Sequence, residues 1–387
     1  MTPRFLASLW DPDGPRGARA RLLAGALAVP ELLFRAGVAI REGLLRVGLL
    51  RVERAPVAVI SVGGIEVGGT GKTPLTLELV RLAASAGLRA AVAARGYGAR
   101  SPGSRAGGHA VWKVPDPPTP DAAVRFGDEP VWLASRAGFA GGAGVWVAPR
   151  RILAARAAAA AGARLVLLDD GLQHRQLRRD GEVVTLLGDA PLGNGHLLPR
   201  GPLREPAKTA LARADVAILA GILPDAVAAN AARIRPLLRP GVPIFSWHGE
   251  PALVTVAGEV LGPSEPVALL AAIAHPERLK ITMERLGLLP ATSRLFRDHH
   301  RFRESDVAGL PGVGEAGARG VLVTTEKDWP RLRVVLPPHS RVALVVQSLR
   351  WNEPVAESWW IDWLRAVTEG TPERPASLLT LGGDQPC

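Results

Sequence analysis

Residues Val57 to Thr73 read VAVISVGGIEVGGTGKT, and the fold follows from how that stretch divides. Its first half is apolar and β-branched, which suits a strand buried on both faces. Its second half is rich in glycine and closes on Gly71-Lys72-Thr73, and a helix-compatible run follows from Pro74 through Leu82. Strand, glycine loop, lysine, hydroxyl and helix, in that order, are what holding the β- and γ-phosphates of a nucleotide requires. Gly68, Gly69 and Gly71, with Thr70 between them, let backbone N–H groups turn inward. Lys72 brings a point charge to the phosphates and Thr73 a hydroxyl to Mg²⁺. Pro74 falls in the first helical turn, where its missing N–H costs nothing. The full pattern places a glycine six residues ahead of the lysine, and Glu66 stands there instead.

Outward from that loop the chain alternates short apolar runs with helical ones. Strand candidates in the first half are Ala90 to Ala94, Val111 to Val114, Gly144 to Val147, Leu165 to Leu168, Val183 to Leu187 and Ala214 to Leu219. Helical runs lie at Val131 to Arg136 and Ile152 to Ala161. This is the pattern of an α/β domain with a largely parallel sheet, whose ligand crevice lies at the strand C-terminal ends. After about Gly221 the character changes. Val242 to Phe245 and Leu253 to Val256 read as two short strands of a linker; Val267 to Ile273, Arg294 to Phe296, Val321 to Thr324 and Val342 to Val346 read as a second, smaller α/β unit with a helix at Glu277 to Leu286. The expected organisation is residues 1–50 as an N-terminal amphipathic region, 51–241 as the nucleotide-binding domain, 242–366 as the smaller domain with its linker, and 367–387 as a loose tail.

The 387 residues suffice for two domains. A formal charge of +11 points to an anionic partner, such as a membrane surface, a phosphorylated substrate or nucleic acid. The arginines are dispersed without aromatic interleaving, which argues against nucleic acid. A single cysteine, Cys387, leaves no intramolecular disulfide and no cysteine metal site. From Arg21 to Leu50, Glu31, Arg35, Glu42 and Arg46 form a polar strip at helical spacing among leucines and valines. No uninterrupted apolar span is long enough for a conventional transmembrane helix, and the start lacks the layout of a secretory signal. With nine arginines ahead of residue 55, an amphipathic stretch resting in a membrane interface fits best; the competing reading is a helix packed on the protein's own core.

Chemistry-bearing residues stand at the strand ends. Asp169, with Asp170 beside it, closes a hydrophobic strand, where a nucleotide-phosphate enzyme needs a carboxylate for Mg²⁺ or its water shell; Gln173 and His174 follow on the same loop. Asp128 and Glu129 open a helix, and Asp128 reads equally as an N-cap or as the acceptor of an attacking hydroxyl's proton. His299 and His300 beside Asp298 are too few for zinc, and a histidine paired to a carboxylate across a cleft is the better reading. Arg200, Arg204 and Lys208 flank a proline-glycine loop suited to an anionic group.

Taken together, SVGG…VGGTGKTP, ARGYG, GDEP, LLDDGLQH, GNGHLLPRGPLREP, FRDHHRF and TTEKD occur in an order that resembles the tetraacyldisaccharide 4'-kinase family, the lipid A 4'-kinases, over roughly residues 20 to 350. The resemblance implies ATP- and Mg²⁺-dependent phosphorylation of the 4'-hydroxyl of a tetraacylated glucosamine disaccharide 1-phosphate. It implies work at the cytoplasmic face of the Gram-negative inner membrane, with anionic lipids as a second partner. No nucleic acid and no obligate protein partner is inferred. Carried over residue by residue, Lys72 and Thr73 match the phosphate-loop pair, Asp128 the catalytic aspartate and His299 the histidine that assists it. Asp169 and Asp170 match the metal-side pair, and Glu129, Gln173, His174, Asn194 and Arg204 the substrate side. Glu326 and Lys327 match a motif that contacts nucleotide or joins the domains. Gly64 and Glu66 depart from the family, which commonly has asparagine and a small polar residue there. Two other functions share the loop: a soluble kinase or ligase for a small metabolite, indifferent to lipid, and a membrane-associated nucleotide switch that hydrolyses slowly.

Overall fold

A computed structural model describes residues 9, 10, 14, 17–95, 110–117, 119, 121–136, 143–256, 266–273, 276–297, 300–314 and 319–370. Twelve strands form one sheet. In chain order they are β1 (Ala58–Gly64), β2 (Ala90–Ala94), β3 (Trp112–Lys113), β4 (Gly144–Val147), β5 (Leu165–Asp169), β6 (Gly181–Leu187), β7 (Val216–Ala220), β8 (Ile244–Thr255), β9 (Val267–Ala271), β10 (Thr292–Leu295), β11 (Val321–Thr325) and β12 (Val342–Trp351). Across the sheet they run β10-β9-β11-β12-β8-β7-β6-β1-β5-β2-β4-β3.

The sheet is two parallel blocks pointing at each other. From β4 to β8 every neighbour is parallel, with β3 added antiparallel at the edge. β9, β10, β11 and β12 are also parallel among themselves. Between the blocks, β8 and β12 pair antiparallel from Ala343↔Thr255 to Trp351↔Trp247. β8 starts beside β7 and ends in the second block; β12 makes the return journey. The strand C-terminal ends of both blocks therefore face one shared cleft. The two short strands expected over 242–256 are one continuous twelve-residue strand, and it is the joint itself.

Alternating residues of β1 and β5 feed two cores. Ile60, Val62, Leu165 and Leu167 pack on one face, covered by the Lys72–Ser85 and Asp128–Arg136 helices. Val59, Val166 and Leu168 pack on the other, under the Arg151–Ala160 helix. The chain's last described helix, Ala356–Glu369, returns to the first block and packs on the Lys72–Ser85 helix. Its Trp359, Trp360 and Trp363 close over Phe245 and Trp351 at the joint.

Two helices, Ala18–Ala26 and Ala28–Arg46, meet at a bend of 42°. Neither alone is long and apolar enough to cross a membrane, although the pair together meets that test by length and composition. Of the polar strip read from the sequence, the two glutamates face inward and Arg35 and Arg46 stay exposed. Glu31 and Glu42 are buried, whereas Leu32, Leu33 and Ile40 are 64%, 69% and 63% exposed. Glu31 accepts from the backbone N–H of Leu197 at 3.1 Å and lies 3.5 Å from Arg200; Glu42 pairs with Arg175 at 3.0 Å. The carboxylates pin the helix to the protein and turn its apolar side outward.

Candidate active site

The cleft between the blocks is about 2280 Å³. A single small-molecule pocket is roughly 300–1,000 Å³, so there is room for a nucleotide and a second substrate together. Lys72, Asp128 and Asp169 line it from the first block, Glu326 and Lys327 from the second, and Phe34 and Val38 from the exposed helix.

The phosphate loop is built by close packing beneath it. Gly71 has φ +69°, and a Cβ there would overlap the edge of the Trp247 ring and lie 2.9 Å from the Cβ of Ala220. Gly64 leaves the space that the Thr70 hydroxyl occupies, and that hydroxyl shares a hydrogen bond with Thr185 at 3.2 Å. A side chain at position 64 would displace that hydroxyl, so the absence of a Cβ there is part of how the loop is packed. Lys72 caps the loop, donating to the Gly68 carbonyl at 3.0 Å and lying 3.8 Å from Asp170. Burial lowers its pKa, with Asp170 acting in the opposite sense.

Asp169 is buried at the end of β5 and accepts from Thr76 Oγ1 at 3.1 Å. Burial first, then the nearby Glu129 and Asp170, push its carboxyl up to about 7. Asp170 has φ 51°, the one non-glycine positive φ among the described residues, and receives Arg204 Nη1 at 2.8 and 2.9 Å on its two oxygens. A carboxylate held in left-handed backbone at a strand end is the kind of strain that clusters at functional sites. Thr73 lines the cleft from the first turn of the Lys72–Ser85 helix. Among the described residues no cluster of three or more His, Cys, Asp or Glu side chains is arranged for a metal. Two carboxylates and a hydroxyl suit a hard cation that keeps water and phosphate oxygens as its other ligands, so this donor set fits Mg²⁺.

The helix carrying Asp128 is stapled to the second block. Asp128 Oδ2 lies 3.3 Å from Arg331 Nε, Glu129 lies 3.8 Å from Lys327, and Arg136 lies 2.9 Å from Glu326. The late TTEKD motif therefore joins the two blocks through Glu326 and Lys327. Arg331 also pairs with Asp328 and donates to the His300 carbonyl at 3.1 Å. His299, expected to assist Asp128, lies outside the described residues, as do Gly96 to Gly98 of ARGYG.

Of the expected substrate-side residues, Glu129, Gln173, His174 and Arg204 reach the cleft. Gln173 donates to the Gly64 carbonyl at 3.1 Å and to Glu205 at 3.2 Å, and it accepts from Arg204 at 3.3 Å, so the DDGLQH and LREP segments form one network. Burial, then Arg151 and Arg179, push the His174 imidazole down to about 4, leaving it neutral at physiological pH. Asn194 sits apart from the cleft lining. It braces its own loop, donating to the Arg200 carbonyl at 3.2 Å and accepting from the His196 N–H at 3.1 Å.

Arg151 was not singled out from the sequence. It is buried yet lines the cleft, anchored by Nη2 to the Asp169 carbonyl at 3.1 Å, with Nε and Nη1 unbonded among the described residues. The available signal was position: Arg150-Arg151 follow β4 after Ala148-Pro149, at the strand end that faces the crevice.

Comparison with known proteins places this geometry. Residues 23–365 match the family model described as tetraacyldisaccharide-1-P 4'-kinase. A tetraacyldisaccharide 4'-kinase of Anaeromyxobacter dehalogenans is 40% identical over 339 residues, covering 84% of this chain and 86% of the relative. One from Syntrophus aciditrophicus is 36% identical over 357 residues, covering 87% and 90%. The crystal structure of LpxK from Aquifex aeolicus, described as in complex with ATP, superposes with a TM-score of 0.67 at 23% identity. It spans 89% of this chain and 99% of that one, and it shares the fold.

Proposed function

The chain belongs to the tetraacyldisaccharide-1-P 4'-kinase family, and from that premise we propose how its own residues carry out the transfer. The protein is an ATP-dependent kinase that phosphorylates the 4'-hydroxyl of tetraacyldisaccharide 1-phosphate in lipid A biosynthesis. The reading rests most on one observation: phosphate loop, Asp128 and the apolar-faced helix all border a single cleft.

The loop N–H groups and Lys72 hold the nucleotide phosphates. Thr73 and Asp169, with Asp170 adjacent, would hold Mg²⁺, which when bound supplies positive charge to the phosphoryl group in transfer. Asp128 orients the 4'-hydroxyl and takes its proton, assisted by His299. Arg331 fixes the Asp128 carboxylate from the opposite block. Gln173, His174 and Arg204 form the acceptor side, and closure of the blocks excludes water that would compete as nucleophile. The expected division at residues 51–241 and 242–366 would serve this closure, the first holding the nucleotide and β9 to β12 of the second completing the cleft, while Ala356–Glu369 stays with the first block. The helix Ala28–Arg46 lies in the cytoplasmic leaflet of the Gram-negative inner membrane, where its exposed leucines enter the acyl boundary and surrounding arginines meet anionic headgroups.

The test is transfer of the ATP γ-phosphate to purified disaccharide 1-phosphate. Asp128→Asn should lose about 10²–10⁴ in kcat with little change in KM for ATP. Folded wild type that leaves the lipid unphosphorylated refutes the assignment; a metal-binding defect in Asp128→Asn refutes the role given to Asp128.

A further inference from the structure

Glu66 occupies the position in the phosphate loop where the glycine pattern breaks. It is 4% exposed, and its backbone is locked: Ile65 to Val67 lies against Pro202 to Arg204. Val67 N–H donates to the Pro202 carbonyl at 2.9 Å and Arg204 N–H to the Ile65 carbonyl at 2.7 Å. That ladder fixes the backbone from which the side chain enters the interior. Its Oε1 has no hydrogen-bond partner among the described residues, and no arginine, lysine or histidine forms an ion pair with it there. A carboxylate in such a place costs far more than a neutral acid.

We propose that Glu66 is an alkaline off-switch on nucleotide binding. Carried as a neutral acid under the loop, it tolerates the phosphates; once its proton is lost to solvent, the carboxylate opposes them. The charged groups acting on it are Asp189, on the turn after β6, and Lys72, at the start of the following helix. Leu203, across the bridge, offers no charge. Burial first and Asp189 second raise the Glu66 pKa to about 8, while Lys72 acts against them. The Lys72 ammonium is committed to the Gly68 carbonyl and to Thr70 Oγ1, so it does not neutralise Glu66 directly. By reciprocity, bound nucleotide must raise the affinity of Glu66 for its proton.

This rests on the loop binding nucleotide, as proposed above. The experiment is calorimetric titration of the full chain with a non-hydrolysable ATP analogue and Mg²⁺ between about pH 6.5 and 9.5. The wild-type dissociation constant should rise about tenfold or more across the range, while that of Glu66→Gln changes much less. Ionisation of Lys72 and of the analogue is common to both proteins and cancels in the comparison. Glu66→Met serves as a second neutral variant should the glutamine fail to fold. A second readout is the proton uptake on binding near pH 9, seen by varying the buffer's ionisation enthalpy, which should be larger in wild type than in Glu66→Gln by about half a proton or more. Equal pH profiles in wild type and the neutral variant, or equal proton uptake by the two, overturn the proposal. Failure to bind at every pH overturns the nucleotide assignment itself, a separate result.

Discussion

Arg331→Met removes a guanidinium that links the candidate catalytic carboxylate to the opposite block. Both members of the Asp128–Arg331 pair are buried, with side chains 10% and 9% exposed. On its other side the guanidinium pairs with Asp328, which is wholly buried. Losing one partner of a buried ion pair costs about 3–5 kcal/mol. Asp328 keeps hydrogen bonds from the Ala272 N–H at 2.9 Å and Thr325 Oγ1 at 2.8 Å, which places the cost near the lower end, about 3 kcal/mol. The other two staples cannot compensate, because the Lys327–Glu129 and Arg136–Glu326 pairs each have one partner 40–49% exposed, and water-accessible pairs contribute roughly 0–1 kcal/mol each. Two measurements follow. Urea unfolding should show the lost stability, and kcat for phosphoryl transfer should drop about 10²-fold because Asp128 is no longer held in line with the hydroxyl. KM for ATP should barely move, since the partners of Arg331 among the described residues are Asp128, Asp328, the His300 carbonyl and the Phe302 ring, none of them in the phosphate loop. Arg331→Lys should recover part of the stability but little kcat, because an ammonium cannot span two carboxylates as the planar fork does. Unchanged kcat in Arg331→Met, with stability within about 0.5 kcal/mol of wild type, would refute the keystone role.

Gly71→Ala forces a Cβ into Trp247 and Ala220 at positive φ, so backbone strain and overpacking together should cost about 2–5 kcal/mol and abolish nucleotide binding; thermal unfolding and calorimetry read the two effects. Leu33→Glu, on the outward face, should leave stability within about 0.5 kcal/mol while reducing association with anionic vesicles about tenfold. Equal vesicle binding would remove this face from the membrane contact.

Much of the first block could be read from the chain because its strands are short apolar runs bounded by glycine, proline or charge. Ala90–Ala94 and Gly144–Val147 fall where the runs suggest, to the residue. The joint could not be read so easily. His248-Gly249-Glu250-Pro251 interrupts the apolar pattern of β8, because a two-stranded ribbon between blocks has little core against its middle, and the interruption mimics a linker. The Glu31–Glu42 strip was visible as a helical face, but periodicity does not say which side of a helix meets the protein. Here the two glutamates go in because Arg175, Arg200 and His196 wait for them, and those partners lie far along the chain. The Asp128–Arg331 pair has the same character: the acid at a helix start was conspicuous, and its counter-charge was one arginine among many until the fold brought them together.

The opposed blocks explain why these residues had to come from both halves. In a single parallel sheet, every strand end approaches its ligand from one side. With β8 and β12 antiparallel, Asp169 at the end of β5 and Glu326 just past β11 enter one cleft from opposite directions, so a phosphoryl donor and its acceptor can be enclosed between them. Phe34 and Val38 line the remaining boundary, and in the membrane docking proposed above an apolar helix on the rim would let a polar headgroup reach the carboxylates while its acyl chains stayed outside, in lipid. Removing that apolar face should therefore weaken capture of the lipid acceptor and leave the ATP site intact. A soluble kinase for a small metabolite would show no such separation.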